Sequence, residues 1–373
     1  MVVKTLSLQN FRNIASLTLE PSAGVNVIYG ENAQGKTNIL ESLSYLSLIS
    51  SFRASRDREL VRIGEAAAAL DAAVFAEERE RVISVRIPAT GRREVTVNRV
   101  RAARKADAAG ILKCVLFCPE DLELIRGSAA LRRRFLDDAI SQLWPNYISL
   151  LAEYNRLLQH KNRILKDYHE IPSLLDTLDD FSAQMCSVAA SLIPYRERFC
   201  GMLARAAETE HAAISSGREK LTLSYETVST VTEHGLPPPQ LYELLWRHYA
   251  SHKAAEIASG SCLSGPHKDD LSVLIDGLPA KHYASQGQTR TAVLSLKLAQ
   301  RALYYKEAGE YPVLLFDDVL SELDRGRQEY VLRGIGHGQV FITTCEPDVC
   351  RELETACDQD GTKLFHVKQG SVF

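Results

Sequence analysis

Residues 30–37 read GENAQGKT, and their flanks are as informative as the eight residues themselves. Ahead of them stands GVNVIY, a short apolar run of strand type. Behind them runs TNILESLSYLSLI, with Ile39, Leu40, Leu43 and Leu46 at helical spacing. A G-x-x-x-x-G-K-[ST] stretch set between a strand and a helix is a phosphate cradle. Gly30 and Gly35 let the backbone curl, so that N–H groups across Glu31, Asn32, Ala33 and Gln34 face an anion. Lys36 then reaches the β/γ-phosphates and Thr37 offers a hydroxyl to Mg²⁺. The expected fold class is therefore α/β, a P-loop ATPase head, with ATP and Mg²⁺ as ligands.

Two further stretches extend this chemistry. VLLFDD at 313–318 gives four apolar residues and then two carboxylates, the form of a buried parallel strand ending in acid at a loop edge. Asp317 is expected on the metal side, and Asp318 as the general base that polarises the attacking water. With Lys36 they make the candidate catalytic set. In YASQGQTRTA, Ser285, Gln286, Gly287 and Gln288 open a long helical run, TRTAVLSLKLAQRALYYKEAG. N–H groups at such a start favour an anion, although an ordinary helix start has the same appearance.

The 373 residues suit two domains, or one with a large insertion, and 45% hydrophobic against 24% charged content is ordinary for a globular chain. The net charge of -3 conceals an uneven distribution: residues 51–134 hold 18 Lys and Arg against 12 Asp and Glu. Arg56, Arg92, Arg93, Arg101, Arg104 and Lys105 belong to this basic segment. Such residues give affinity for a phosphate backbone without reading sequence, and no aromatic residues interleave with them, which favours duplex or junction over a stacked single strand. Arg132 to Arg134 have a second reading, packed under helices and paired with Asp137 and Asp138.

Eight cysteines without a Cys-x-x-Cys pair read as buried free thiols. His248 and His252 stand i, i+4, but Tyr249 replaces the Glu of a zinc motif, and helix surface is the expectation. MVVKTLSLQNFRN carries no signal-peptide h-region and no run reaches 18 apolar residues, so a cytoplasmic protein without membrane contact is expected. Strand-like pieces fill the first third, with Asn98 a turn residue. The middle reads as an antiparallel helical hairpin: a first helix of roughly 40 Å, a break at Pro172, and a second run to Ile214 kinked at Pro194. The expected division is residues 1–140 and 215–373 as the two halves of the head, with 141–214 as an inserted helical arm.

SQGQ, a helix, VLLFDD some 25 residues later and then SELD at 321–324 resemble the layout of ABC-type ATPases. That resemblance implies that the loop of Ser285 to Gln288 caps the γ-phosphate held by a second copy, in an isologous ATP-dependent homodimer. The interval of about 250 residues before the loop, with its helical hairpin, is similar to the SMC-like branch. LSLQNFRNI at 6–14 resembles the opening of that branch, which implies a place for Arg12 near the nucleotide. SFRASRDREL, FCPEDLELIRGSAALRRRFLDDAI, SGPHKDDL and ASQGQTR together resemble the RecF family of bacterial DNA gap-repair proteins, nearly end to end. The resemblance implies an ATP-dependent DNA-binding dimer with weak, DNA-stimulated ATPase activity, working with RecR and RecO to place RecA at gaps.

The chain departs from the wider pattern in four places. Its signature is SQGQ instead of SGGQ. Asp318 stands for the more common Glu, which suits slow turnover. Thr343 and Thr344 stand where many relatives carry a switch His, and the usual water- and metal-contacting Gln after the helix that follows GENAQGKT has no assigned counterpart. A transporter ATPase subunit would share the motifs but needs a membrane partner, and an SMC-type tether needs far longer arms. No role follows from the sequence for His267 and Lys268.

Overall fold

The computed structural model describes residues 1–320, 323–334, 336–345 and 361–373. The chain forms two units, one of residues 1–122, 213–216 and 290–373, the other of 123–212 and 217–289. Residues 123–140 and 217–289 thus cluster with the helices of the second unit.

The first unit holds two sheets. β1 (Val2–Phe11), β2 (Ile14–Leu19), β4 (Ala67–Ala76), β5 (Arg79–Pro88), β6 (Glu94–Val97) and β7 (Val100–Arg101) pair antiparallel in the order β2-β1-β4-β5-β6-β7. β1 shows the cause in its side chains: Val3, Leu6, Leu8 and Phe11 are buried while Lys4, Thr5 and Gln9 are exposed, one face in and one out. Asn98 and Arg99 take positive φ in the β6–β7 turn, and Asn98 Oδ1 accepts the Val82 N–H at 2.8 Å.

The second sheet of this unit runs β15-β14-β3-β13-β12-β8, from β3 (Val25–Tyr29), β8 (Cys114–Phe117), β12 (Val313–Asp317), β13 (Val340–Thr344), β14 (Lys363–Lys368) and β15 (Ser371–Val372). All but β15 pair parallel. Every residue of β12 and β13 is buried. That explains why they read as continuous apolar runs without alternation. α1 (Lys36–Leu48) follows the P-loop and buries all but Thr37 and Asn38. α8 (Gln286–Ala308), which belongs to this unit from Arg290 onward, and α9 (Arg325–Gly334) follow.

The second unit is mostly helical: α2 (Glu123–Arg126), α3 (Ala129–Leu143), α4 (Pro145–Asp167), α5 (Leu178–Ser215), α6 (Pro238–Ser259) and α7 (Ala280–Tyr283), with a small antiparallel sheet of β9 (Leu221–Glu226), β10 (Asp270–Ile275) and β11 (Leu278–Pro279). α4, with 23 residues, spans about 35 Å. α5 continues through Pro194, and a 3-10 turn at Pro172–Thr177 separates the two helices. Tyr147 meets Tyr195 and His160 meets Phe181, so the contacts run in opposite chain order and the hairpin is antiparallel.

Buried charge organises this unit. Arg196, 2% exposed, spends its guanidinium on Asp137, Asp269, the Tyr147 hydroxyl and the Pro266 carbonyl, at 2.7–3.2 Å. Tyr225 also donates to Asp269. Arg132 forms a bidentate pair with Asp270 at 2.7 and 2.8 Å, and Arg133 donates to the Asp269 carbonyl. The expected pairing of Arg132 to Arg134 with Asp137 and Asp138 therefore holds only for Arg134 and Asp138, at 3.6 Å; Asp137 is taken by Arg196. SGPHKDDL is where these contacts converge. His267 Nε2 donates to the Cys262 carbonyl at 3.1 Å, so Nδ1 accepts the Tyr154 hydroxyl at 2.7 Å. Nearby, Lys161 pairs with Glu256 at 2.7 Å beneath the Tyr249 ring.

His248 differs from its expected place on a helix surface. It is buried, stacks on His252 and lies 3.0 Å from Ser264 Oγ, because α6 packs that face inward. Cys114, Cys118, Cys186, Cys200 and Cys262 are buried free thiols and Cys345 is half-buried, while Cys350 and Cys357 lie outside the described residues.

Arg196→Ala leaves two carboxylates without their cation and is expected to cost about 3–5 kcal/mol, read as a lowered urea midpoint. Burial holds the His267 imidazole down at about 4, against an ordinary 6.5. Between these values the unfolded chain binds more protons, so stability is full above about 6.5 and falls as pH drops towards 4. His267→Gln is expected to flatten that part of the stability–pH curve, measured by urea unfolding across the window.

Candidate nucleotide-binding site

β3 ends at Tyr29 and α1 begins at Lys36, and the connecting loop contains three residues of positive φ: Gly30 at 148°, Ala33 at 63° and Gly35 at 112°. Successive turns of this kind make a concave run of backbone N–H groups. Two glycines are also required by close neighbours. A Cβ on Gly30 would collide with the Val367 carbonyl, and one on Gly35 would lie 2.7 Å from Asn13 Oδ1. The turn between β14 and β15 grips the loop from outside: Gln369 N–H donates to Gln34 Oε1 at 2.6 Å and Gly370 N–H to the Gln34 carbonyl at 2.9 Å. Glu31, Asn32 and Ala33 are exposed.

Lys36 is buried, and its ammonium donates to the carbonyls of Gly30 and Glu31 at 2.7 and 2.8 Å. Cys345 Sγ lies 3.2 Å from Lys36 Nζ and 2.9 Å from Asn32 Oδ1. The cation is thus fixed over the loop mouth by the loop's own carbonyls.

The acid strand reaches the same place. β13 lies between β3 and β12, with Thr343 in register with both Ile28 and Asp317. Thr37 donates its hydroxyl hydrogen to Asp317 Oδ1 at 2.8 Å, and Thr343 donates to the same oxygen at 2.9 Å. Asp318 turns into positive φ, 55°, and its N–H donates to Thr343 Oγ1 at 3.0 Å. Burial pushes the Asp317 carboxyl above the ordinary carboxylate range, while the hydrogen bonds from Thr37 and Thr343 favour its charged form.

The oxygen set suits Mg²⁺. A hydroxyl that donates its hydrogen to Asp317 keeps its lone pairs for a cation. Mg²⁺ takes one or two protein ligands and leaves other positions to water and phosphate. In keeping with that sparse set, no group of three or more His, Cys, Asp or Glu positioned for a metal occurs among the described residues.

Arg12, expected near the nucleotide, places its guanidinium on Glu41 at 2.7 and 2.9 Å and on the Glu59 carbonyl at 3.0 Å. Glu41 is fully buried in α1 and also accepts the Ser51 hydroxyl. Arg12 thus braces the helix that carries Lys36 and Thr37.

Ser285 is the start of a reciprocal cap. Its Oγ accepts the Gln288 N–H at 3.2 Å, and Gln288 Oε1 accepts the Ser285 N–H at 2.9 Å, the S-x-x-Q capping box. Ser285 and Gln286 are exposed. Of SELD, residues 321 and 322 lie outside the described residues. Asp324 accepts the Arg327 N–H at 3.0 Å at the start of α9.

The basic candidates separate by environment. Arg56, Arg92 and Arg101 are exposed. Arg93 is paired with Asp57 at 2.6 Å, Arg104 with Asp107 at 3.0 Å, and Lys105 donates to Ser50 Oγ at 3.2 Å. Sequence reasoning missed the role of Thr343, the grip of Gln369 and Gly370 on the loop, and the Arg12–Glu41 brace. Only Thr343 had a visible signal, a hydroxyl at the end of an apolar strand.

The profile of the RecF/RecN/SMC N terminal domain family matches residues 2–369. A DNA replication and repair protein RecF of Halalkalibacterium halodurans is 38% identical over 374 residues, covering 100% of this chain and 99% of that protein. Its counterpart in Staphylococcus epidermidis is 38% identical over 376 residues, covering 100% of each. Among solved structures, the recombination mediator protein RecF with ATP, of the RecFOR pathway, superposes with a TM-score of 0.90 at 33% identity, covering 100% of this chain and 96% of that one. The Smc head domain of Pyrococcus furiosus shares the fold, with a TM-score of 0.54 at 18% identity over 99% of this chain and 94% of that one. With a match from end to end in sequence and in fold, the chain belongs to the RecF/RecN/SMC N-terminal domain family, in its RecF group.

Proposed function

We propose that the chain is an ATP-dependent DNA-binding protein of recombinational repair and replication restart. In this reading it dimerises on ATP, clamps DNA at gaps or junctions, and resets by slow, DNA-stimulated hydrolysis. The observation that carries the reading is the meeting of Lys36, Thr37 and Asp317 beside one loop, with Thr37 and Asp317 joined at 2.8 Å. RecF relatives named for DNA replication and repair, and the solved RecF–ATP structure of the RecFOR pathway, support extending it to DNA, RecR and RecO, and the placement of RecA follows from the resemblance alone.

Bound ATP supplies a γ-phosphoryl group open to water, and Mg²⁺ supplies the charge that neutralises it. The chain's own groups do the rest. N–H groups of residues 30–35 hold phosphate oxygens, and Lys36 adds a cation already fixed at the loop. Thr37 and Asp317 give oxygen ligands on the metal side. Asp318 orients the attacking water and takes its proton; the short side chain suits slow turnover. Exposed Ser285 and Gln286 offer a helix start to the γ-phosphate of a second copy. Arg56, Arg92 and Arg101 contact the DNA backbone. Arg104 joins them readily, since its ion pair with Asp107 is a surface pair of small worth. Arg93 and Lys105 contribute less, being held by Asp57 and Ser50.

Mass in solution is expected to double with Mg²⁺ and ATP but not with ADP, and to stay monomeric with ATP in Ser285→Arg. Loss of the cap alone costs only about 1 kcal/mol, so an unfolded variant is not the expected cause. A mass indifferent to nucleotide would overturn the clamp. For DNA, the triple replacement of Arg56, Arg92 and Arg101 by Ala is expected to weaken binding uniformly across sequences and to lower the salt slope by about 2–3. An unchanged slope would remove these residues from the interface.

A further inference from the structure

We infer that Thr343 is a positioning residue for hydrolysis, its single hydroxyl setting the Asp317 carboxylate and the Asp318 backbone together. The inference rests on the ATPase reading above. Thr343 is 2% exposed on β13, the strand that separates the P-loop strand from the acid strand. A hydroxyl has one hydrogen to give and two lone pairs to receive. Here the hydrogen goes to Asp317 Oδ1 at 2.9 Å, with the Phe316 carbonyl a more distant acceptor at 3.4 Å, and one lone pair takes the Asp318 N–H at 3.0 Å.

The two bonds have different consequences. The first, with the Thr37 bond to the same oxygen, fixes the rotation of the Asp317 carboxylate and so the direction of its other oxygen. The second supplies an acceptor for Asp318 where the chain leaves β12 in a left-handed conformation that non-glycine residues adopt at some cost. Asp318 is the residue to which the attacking water is assigned, so a hydroxyl on the adjacent strand ties the metal-side acid to the base-side acid. Valine retains the branched shape of threonine and removes this tie.

Thr343→Val and, as a second hydroxyl-free variant, Thr343→Ala are compared with Thr343→Ser in the full-length chain. At saturating Mg²⁺ the hydroxyl-free variants are expected to lower kcat for ATP about tenfold or more, with KM changed less than about threefold. The Mg²⁺ concentration that half-saturates binding of a fluorescent ATP analogue is expected to rise about fivefold or more, since a misdirected carboxylate is a poorer ligand. Serine is expected to restore both. Turnover and Mg²⁺ requirement within about twofold of the parent chain in both hydroxyl-free variants, or a serine variant as impaired as valine, would overturn the inference and leave the ATPase reading intact. A parent chain that binds no ATP would overturn that reading, and the inference with it.

Discussion

The hydrogen bond from Thr37 to Asp317 joins residues 280 positions apart. It is short because three parallel strands stand side by side: β3 delivers the P-loop, β12 delivers the acid, and β13 fills the interval. Neighbouring strands stand about 4.8 Å apart, so an acid two strands away meets the loop only through the reach of the Thr37 side chain. Of the chain between residues 37 and 313, β8 joins this sheet at the far side of β12, while the second unit adds no strand to it. The parallel strands need no alternation, being buried on both faces, and their unbroken apolar sequences follow from that burial.

The second unit solves a different problem. Its long helices bury charge, and a buried guanidinium is tolerable only when its donors are matched. Arg196 meets that condition with partners from α3, α4 and the SGPHKDDL segment. The same segment brings His267 to Tyr154 and Asp270 to Arg132. A stretch that the sequence marks as family-like without a chemical reason is thus a structural junction. Its Ser264, His267, Asp269 and Asp270 serve the fold of this unit.

Much of the fold was legible because local pattern and tertiary role coincide. β1 carries its burial in its alternation, β3 and β12 carry theirs in unbroken apolar runs, and GENAQGKT carries its conformation in its glycines. Ser285 and Gln288 even display the spacing of their cap. What was not legible is non-local polar pairing. Arg132 was expected to find acids a few residues away, yet its partner is 138 positions along the chain. Only Arg134, which does pair at i, i+4, followed the local rule. For Arg12 the resemblance implies a place near the nucleotide but does not foretell its partners, Glu41 and the Glu59 carbonyl. The reading of His248 as helix surface follows from the missing Glu of a zinc motif, which says nothing about which face is buried. The choice of face for α6 comes from packing, which a single sequence does not encode visibly.

The grip of Gln369 and Gly370 on Gln34 reaches across 335 positions. During synthesis the P-loop emerges before the strands that flank β3 and before the turn that holds Gln34. A ribosome-bound chain lacking residues 340–370 has the full G-x-x-x-x-G-K-T motif and none of these supports. The supports of the loop are therefore complete only once residue 370 has emerged, and a chain cut short before it carries the motif without these hydrogen bonds.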